Sequence, residues 1–213
     1  MRVAANVHDL MHQYAIESKP LGKGAYGEVF KAIDRKDPSH QVAIKVLYKS
    51  KMTLEDLSII MDEVDLLRKV DHPNIVRYFE TYDDVKFLYL VMELCPGVEL
   101  ADSSQTCSKK YSDRKISDII YRCLQALQHC HSLGITHRDI KPENIMFGSD
   151  GEVRLVDFGL AKDSQAQMSE CVGTLCFIAP EVLNLNYSHK CDIWSLGCVL
   201  YLLVVGDIPF YGT

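Results

Sequence analysis

The chain has 213 residues, 47% of them hydrophobic, and carries a formal net charge of −6 at pH 7. This length and apolar content suffice for one or two globular domains with a hydrophobic core. No stretch of about 18 apolar residues occurs, which argues against a membrane span, and the acidic balance argues against a general nucleic-acid surface.

The N-terminus indicates an intracellular protein, and this bears on how the cysteines are interpreted. The first residues form no apolar signal core, and no glycine follows Met1 to accept a myristoyl group. The eight cysteines include no C-x-x-C pair, so reduced structural thiols are expected rather than a metal site or disulfides. We therefore expect a soluble, cytoplasmic protein, with a nuclear location left open.

The first part of the chain predicts a small antiparallel sheet with one helix. Alternating apolar residues indicate strands at 18–21, 28–34, 41–48, 75–81 and 87–93. A helix is predicted from about Leu54 to Val70, with Thr53 as its N-cap and Asp56 three residues further on. The residues expected on its apolar side are Leu57, Met61, Val64 and Leu67.

A glycine loop lies between the first two predicted strands. Gly22, Gly24 and Gly27 have a spacing that also opens dinucleotide-binding units. Those units and Walker loops run straight into a helix, whereas residues 28–33 alternate as a strand does, and the Walker Gly-Lys-Ser/Thr is missing. The pattern favours a strand–loop–strand hairpin over a nucleotide. The next strand carries Lys45.

Beyond Glu93 the chain becomes mainly helical. One helix is predicted to end with Gly134 as its C′ residue. Another, from Lys190 to about Val205, is apolar nearly all round, which predicts a position in the middle of its domain. The first of these helices has an apolar stripe at helical spacing, formed by Ile116, Ile119, Ile120, Cys123, Leu124, Leu127 and Cys130.

The strongest chemical signal is the run HRDIKPEN at 137–144, followed by DFG at 157–159. Asn144 and Asp157 stand on either side of a short predicted hairpin and offer oxygen ligands that suit Mg²⁺ bridging nucleotide phosphates. Asp139 would orient an attacking hydroxyl. Each motif alone has an ordinary explanation, such as a turn or a solvated strand lysine, but their order and spacing together favour phosphoryl transfer.

With these motifs the chain, from about Tyr14 to Thr213, resembles a eukaryotic serine/threonine protein kinase. Three segments, 92–100, 141–144 and 191–197, are similar to the calcium/calmodulin-regulated group. Within that group the similarity is greatest to the calcium-dependent protein kinases of plants and protists.

The resemblance implies an α+β, bilobal fold. An N-terminal extension is expected over 1–13, a sheet-rich N-lobe with one helix over 14–94, and a mainly helical C-lobe over 95–213. Because the chain stops before the family's last helices, the C-lobe is expected to be incomplete and to leave apolar helix faces exposed.

The resemblance also implies roles for individual residues. Asp139 and Lys141 would act in catalysis together with the metal ligands Asn144 and Asp157, and Asp192 would clamp the backbone around them. ATP would be held by the glycine loop, a lysine–glutamate ion pair, an apolar adenine site and the backbone after a bulky gatekeeper. These nucleotide-binding residues are Leu21, Gly22, Gly24, Gly27, Val29, Ala43, Lys45, Glu63, Met92, Glu93, Cys95 and Met146.

Two glutamates bear on the choice of substrate. Glu143 and Glu99 match positions that, in basophilic relatives, pair with an arginine three residues before the acceptor. They predict an Arg-x-x-Ser/Thr motif. Two surface acids with no shared task are the competing interpretation, because surface acids are common.

The segment between Asp157 and Glu181 bears on regulation. Glu170 stands where many kinases carry an activating phosphothreonine, so a fixed charge is expected to pair with Arg138. Thr174 is expected to contact Asp139 and Lys141 rather than to be a regulatory site. No EF-hand loop occurs in the sequence, so calcium control would need segments that are not in this chain.

Three functions are compatible with these observations. The leading one is an Mg²⁺-ATP-dependent kinase that acts on Ser/Thr of protein substrates. The second is a truncated kinase-like module that binds nucleotide or partner proteins without turnover. The third is a structural interaction domain, which would bind no nucleotide at all.

Overall fold

The computed structural model describes residues 7–96, 100, 111–163 and 168–210. The chain divides into two compact units, one built from Met1–Val64 and Val76–Cys95, the other from Asp65–Ile75 and Pro96–Thr213. No helix in these described ranges is both long and apolar enough to cross a membrane. The domain limits drawn from the sequence stay a prediction; the compact units differ from them chiefly at 65–75.

The first unit is an antiparallel sheet with two helices, as the α+β class predicts. Its elements are α1 (Val7–Gln13), β1 (Tyr14–Lys23), β2 (Gly27–Asp34), β3 (Gln41–Tyr48), α2 (Leu54–Leu67), β4 (Tyr78–Asp83) and β5 (Phe87–Glu93). The five strands lie in the order β1-β2-β3-β5-β4. All neighbouring strands run antiparallel, so short connections suffice between most of them.

Both faces of this sheet are buried. On one face, Ala32, Ile44 and Val91 pack with Leu10 of α1 and Tyr14. On the other, strand leucines pack against Ile60 and Val64 of α2. The predicted N-terminal extension therefore contains a helix that closes a core: Leu10 is 0% exposed, and a fully buried leucine stabilises a fold by about 2 kcal/mol.

Helix α2 begins as the sequence predicts. The Asp56 N–H donates to Thr53 Oγ1 at 3.1 Å, and the Thr53 N–H donates to Asp56 Oδ2 at 2.7 Å, which is a reciprocal cap. The expected apolar side was wrong at Met61, which is 38% exposed, while Ile60 is 7% exposed and lies in the core. Ile60 and Val64 are four residues apart and share one side of the helix.

The fourth strand starts later than predicted. Ile75 forms an isolated parallel bridge with Leu155, and Asn74 Nδ2 donates to the Val153 carbonyl at 2.9 Å. These residues all belong to the second unit. The apolar character of Ile75 thus reflects burial there and not pairing in the sheet of the first unit.

The second unit is mainly helical, again as expected. Its elements are α3 (Asp113–Ser132), β6 (Ile135–Thr136), β7 (Ile145–Phe147), β8 (Val153–Leu155), β9 (Lys162–Asp163), α4 (Pro180–Leu183) and α5 (Lys190–Val205). The strands form two small antiparallel pairs, β6 with β9 and β7 with β8.

Helix α3 is capped at both ends. Ser112 Oγ accepts the Lys115 N–H at its start, and Gly134 follows its end with φ 74°, the left-handed conformation predicted for a C′ glycine. Its buried side includes Ala126, which the predicted stripe omitted, whereas Leu124 is 41% exposed. The stripe is therefore confirmed in position but narrower than the apolar sequence pattern.

Helix α5 is buried on one side only. Leu196, Val199 and Leu203 are buried, but Tyr201 and Val204 are 45% and 60% exposed. The prediction that this helix lies in the middle of its domain was wrong for that side. The exposed side agrees with the expectation of uncovered apolar helix faces.

The seven cysteines within the described ranges are free thiols, as predicted. Cys123 and Cys130 are fully buried on α3, and burial raises the pKa of each thiol to about 12. At neutral pH these side chains are neutral and pack as small hydrophobic groups.

Candidate active site

Four of the predicted nucleotide-binding residues on the strands of the first unit, Val29, Ala43, Lys45 and Met92, share one face of its sheet. In the register, Val29 lies opposite Lys45, and Ala43 lies opposite Met92. Directly paired residues of antiparallel strands point to the same side, as do residues two apart along one strand. Leu47 is on this face too, and it packs against α2. The row of side chains therefore lies beside α2.

The three glycines of the loop are not equivalent. A Cβ on Gly22 would meet nothing within 4 Å, whereas a Cβ on Gly27 would lie 1.9 Å from the Val46 carbonyl oxygen. The Gly24 N–H donates to the Gly27 carbonyl at 2.8 Å and closes the turn. Leu21, just before the loop, is 57% exposed. Gly27 thus lets β2 approach β3, while Gly22 leaves space above the backbone.

Lys45 and Glu63 lie next to each other, as the resemblance implied. Lys45 Nζ is 3.7 Å from Glu63 Oε1, and the Glu63 side chain is 6% exposed. Glu63 lies on α2, one residue before the core residue Val64. A carboxylate this buried is normally paired with a cation, and Lys45 supplies one from the neighbouring strand.

The end of β5 provides the remaining predicted residues of the first unit. The Glu93 N–H donates to the Arg77 carbonyl at 2.7 Å, and Glu93 Oε2 accepts the Arg77 N–H at 3.2 Å. Met92 and Cys95 are half-buried. Met146 belongs to β7 of the second unit, where it is also half-buried.

Asp139 is the centre of the predicted catalytic residues in the second unit. It is 9% exposed. Its Oδ2 lies 2.7 Å from Lys141 Nζ and accepts Asn144 Nδ2–H at 3.0 Å. Its Oδ1 accepts the Thr174 hydroxyl at 2.9 Å, and Lys141 Nζ donates to the same hydroxyl at 3.0 Å. The predicted contact of Thr174 with Asp139 and Lys141 is confirmed.

Asn144 and Asp157 lie at one end of the β7–β8 hairpin. The Val156 N–H donates to the Asn144 carbonyl at 3.0 Å, which continues the pairing of the two strands. Asn144 Nδ2 also donates to the Asp139 carbonyl at 2.9 Å, so the amide oxygen faces the opposite way. Asp157 has φ 59° and an exposed side chain. One amide oxygen and one exposed carboxylate are hard ligands, and they fit a divalent cation that also takes phosphate oxygens and water.

Asp192 holds the backbone of residues 137–144, which we call the catalytic loop, as predicted. Its side chain is 0% exposed, Oδ2 accepts the His137 N–H at 2.9 Å, and Oδ1 accepts the Arg138 N–H at 2.8 Å. His131 Nε2, at 2.8 Å from Oδ2, is a third partner that the sequence did not reveal. A buried carboxylate is stable only with such donors.

Arg138 pairs with Glu170, in agreement with the fixed-charge hypothesis. The Arg138 Nη1 to Glu170 Oε2 distance is 2.6 Å, and Lys162 Nζ lies 2.9 Å from Glu170 Oε1. The hydrogen bond from Arg138, followed by that from Lys162, holds the pKa of Glu170 at about 2, below its usual 4.5. Tyr187 adds a hydrogen bond from its hydroxyl to the Glu170 carbonyl at 2.9 Å.

Several contacts were missed because no local motif marks them. Lys162 is eight residues from Glu170, Tyr187 is 17 residues from Glu170 and His131 is 61 residues from Asp192, and no spacing rule links either end of these contacts, so only the fold brings them together. Positive φ occurs at Gly173, 112°, where the glycine itself is a weak sequence signal, and at Arg138, 68°, where the residue type gives none. Of the two glutamates predicted to read substrate, Glu143 is exposed, and Glu99 lies outside the described residues.

Comparison with known proteins identifies the family of the chain. Residues 15–213 match the family model described as protein kinase domain. The chain is 38% identical over 215 residues to calcium-dependent protein kinase 5 of Plasmodium berghei, covering 99% of this chain and 38% of the relative. It is 39% identical over 196 residues to calcium/calmodulin-dependent protein kinase type 1 of Macrobrachium nipponense, covering 90% of this chain and 56% of the relative.

The chain thus spans well under two thirds of the length of these relatives. The match covers both the glycine loop with Lys45 and the loop that carries Asp139. It extends through Asp157 and α5 to the end of the chain. On this agreement of sequence, fold and site, the chain belongs to the protein kinase domain family.

Proposed function

We propose that this chain is the catalytic domain of a serine/threonine protein kinase that transfers the γ-phosphoryl group of Mg²⁺-ATP to a protein hydroxyl. The observation that carries the proposal is the Asp139 carboxylate, which is bonded by Lys141, Asn144 and Thr174 and lies beside the hairpin that ends at Asp157. The names of the relatives support the serine/threonine class.

Asp139 and Lys141 have complementary tasks. Asp139 orients the acceptor hydroxyl and takes up its proton as the bond from the hydroxyl oxygen to the γ-phosphorus forms, while the bond from the γ-phosphorus to the β–γ bridging oxygen breaks and ADP leaves. Lys141, at 2.7 Å from Asp139, places a positive charge where the transferred phosphoryl group develops negative charge. Catalysis on this account consists of positioning and electrostatics, since phosphoryl transfer requires little covalent chemistry from the protein.

The proposal also includes the nucleotide-binding roles that the family resemblance implies. In the first unit, Lys45 contacts the phosphates, Glu63 holds Lys45, and loop amides at 24–27 cover the phosphates. Val29, Ala43 and Met146 supply apolar contacts for adenine. When bound through Asn144 and Asp157, Mg²⁺ neutralises the phosphate charge and fixes the phosphate geometry.

Substrate preference and calcium control extend this proposal. Exposed Glu143, together with Glu99, is assigned to an arginine three residues before the acceptor, since opposite charges steer and fix a basic peptide. Calcium control, which the relatives carry in their names, would need segments outside this chain. The pairing of Glu170 with Arg138 supports an active conformation that needs no phosphorylation at that position.

The decisive experiment measures transfer from labelled Mg²⁺-ATP to an Arg-x-x-Ser peptide, with Asp157→Ala as the inactive control. Loss of transfer in the control and a large fall when the peptide arginine is replaced would support the proposal. A chain without transfer whose melting temperature still rises with Mg²⁺-ATP, and falls back with a chelator, would be the binding module instead. Absence of both effects would leave the structural interaction domain.

A further inference from the structure

Tyr26 links the glycine loop to α2. It lies between Gly24 and Gly27, its carbonyl accepts the Tyr48 N–H at 2.8 Å, and its side chain is 37% exposed. The Tyr26 hydroxyl donates to Asp56 Oδ1 at 2.8 Å. This hydrogen bond crosses from the loop to the first turn of the helix, and all of these residues belong to the first unit.

Asp56 is already part of the N-terminal cap of α2. Its Oδ2 accepts both the N–H and the hydroxyl of Thr53, each at 2.7 Å. The bonds from Thr53, and after them the bond from Tyr26, lower the pKa of Asp56, while the bond to Asp56 raises the pKa of Tyr26. At neutral pH the pair is therefore a neutral phenol and a carboxylate, which is the stronger, charge-assisted kind of hydrogen bond.

The same side of α2 carries Glu63. Residues i and i+7 of an α-helix lie on one side, about two turns apart, so Asp56 and Glu63 are aligned along the helix. Glu63 pairs with Lys45 at 3.7 Å. Tyr26 is thus bonded to the first turn of α2, and about two turns further along the same side of the helix Glu63 pairs with Lys45.

We propose that Tyr26 is a positioning residue, whose hydroxyl couples the placement of the glycine loop to the placement of Glu63 against Lys45. The inference rests on the proposed function, because both parts are assigned to ATP binding. Without the hydroxyl, the direct hydrogen bond between the loop and the helix is lost, and only the connection through β3 remains. A variant without the hydroxyl should bind nucleotide more weakly. Its chemical step should be unchanged, because the reacting groups belong to Asp139 and its neighbours.

The test compares Tyr26→Phe with Tyr48→Phe. Tyr48 is a matched control, since its hydroxyl donates to Glu28 Oε2 at 2.6 Å within the same unit and does not reach α2. Tyr26→Phe should raise KM for ATP about 5-fold with kcat nearly unchanged, the pattern of lost uniform binding. Tyr48→Phe should leave both constants near those of the unchanged chain.

A second measurement does not depend on turnover. Amide hydrogen exchange in the nucleotide-free protein should become faster in 22–27 and in the first turn of α2 for Tyr26→Phe only. Unchanged exchange and unchanged KM in that variant would overturn the coupling. If the unchanged chain failed to bind ATP while Tyr26→Phe still showed faster exchange, the proposed function would fail and the link itself would stand.

Discussion

The catalytic loop, 137–144, and the glycine loop, 22–27, differ in their hydrogen bonds. Backbone and side chains of the catalytic loop are bonded to groups inside the second unit, whereas the glycine loop has fewer such bonds. Asp192, fully buried, accepts two backbone N–H groups of the catalytic loop. At the glycine loop, Gly22 has open space around it, and Tyr26 bonds to Asp56 at the surface.

This difference shows which contacts fix the conformation of each loop. The catalytic loop is fixed before any ligand arrives, which is the arrangement that electrostatic stabilisation of a transition state requires. The glycine loop is closed by one internal hydrogen bond, from the Gly24 N–H to the Gly27 carbonyl, and Tyr26 connects it to Tyr48 and Asp56. Changes in the two loops should therefore produce different kinds of defect.

The largest effect should come from Asp139→Asn. The amide keeps the shape of the side chain but cannot accept the acceptor proton, so kcat should fall about 10³-fold. Phosphoryl transfer to a peptide measures this, and stabilisation by Mg²⁺-ATP should persist. Asp150→Asn, which changes a half-exposed carboxylate paired with Arg154 at 2.8 Å, is the control. Equal activity of both variants would contradict the role of Asp139.

Within the glycine loop, we expect a substitution to lower stability at one position only, Gly27. Gly27→Ala would place a Cβ 1.9 Å from the Val46 carbonyl oxygen, so β2 must move away from β3. We expect about 2 kcal/mol lower free energy of unfolding, measured with urea. Gly22→Ala, with nothing within 4 Å, is the matched control and should change stability by less than about 1 kcal/mol. Equal losses would mean that Gly27 has no special steric role.

The clamp on the catalytic loop should show in stability as well as activity. Asp192→Asn replaces one acceptor oxygen by a donor nitrogen, which leaves a buried N–H without its partner and costs about 2 kcal/mol. The midpoint temperature of thermal unfolding and kcat should both be lower in this variant. Asp118→Asn removes an exposed charge that pairs with Arg122 at 3.0 Å and should cost about 0.5 kcal/mol or less. A variant at Asp192 as stable as that control would refute the clamp.

The smallest effect is expected at Glu170 and depends on pH. Because its folded pKa is about 2 against the usual 4.5, ionised Glu170 stabilises the fold fully above 4.5, and this contribution is lost as pH falls toward 2. Glu170→Gln should therefore lower the unfolding midpoint at pH 7, with a smaller difference near the folded pKa of about 2. Salt should weaken the effect, since the Glu170 side chain is 51% exposed.

Activity gives a second measurement at Glu170. Transfer should fall several-fold in Glu170→Gln, because Arg138 loses its charged partner, while phosphatase treatment of the unchanged chain should have no effect. Glu17→Gln, which removes a partner of Lys31 at 3.5 Å, is the control. Loss of activity after phosphatase treatment would show that a phosphate, and not Glu170, supplies the charge.

The sequence by itself determined the family, the fold class and part of the local structure. The catalytic and glycine loops, the Thr53 cap, the Gly134 helix end and the pairing of Glu170 with Arg138 were all predictable. The loops, the cap and the helix end rest on a short run of residues or on a motif with fixed spacing, whereas the pairing of Glu170 with Arg138 rests on the resemblance to protein kinases.

Only the tertiary structure decided which side chains close the cores and which bonds hold the loops. Leu10 in the sheet core, the exposed side of α5, the contact of His131 with Asp192 and the steric demand at Gly27 have no local pattern. Burial and close approach depend on segments far apart in the chain, and periodicity along one segment cannot specify what will cover it.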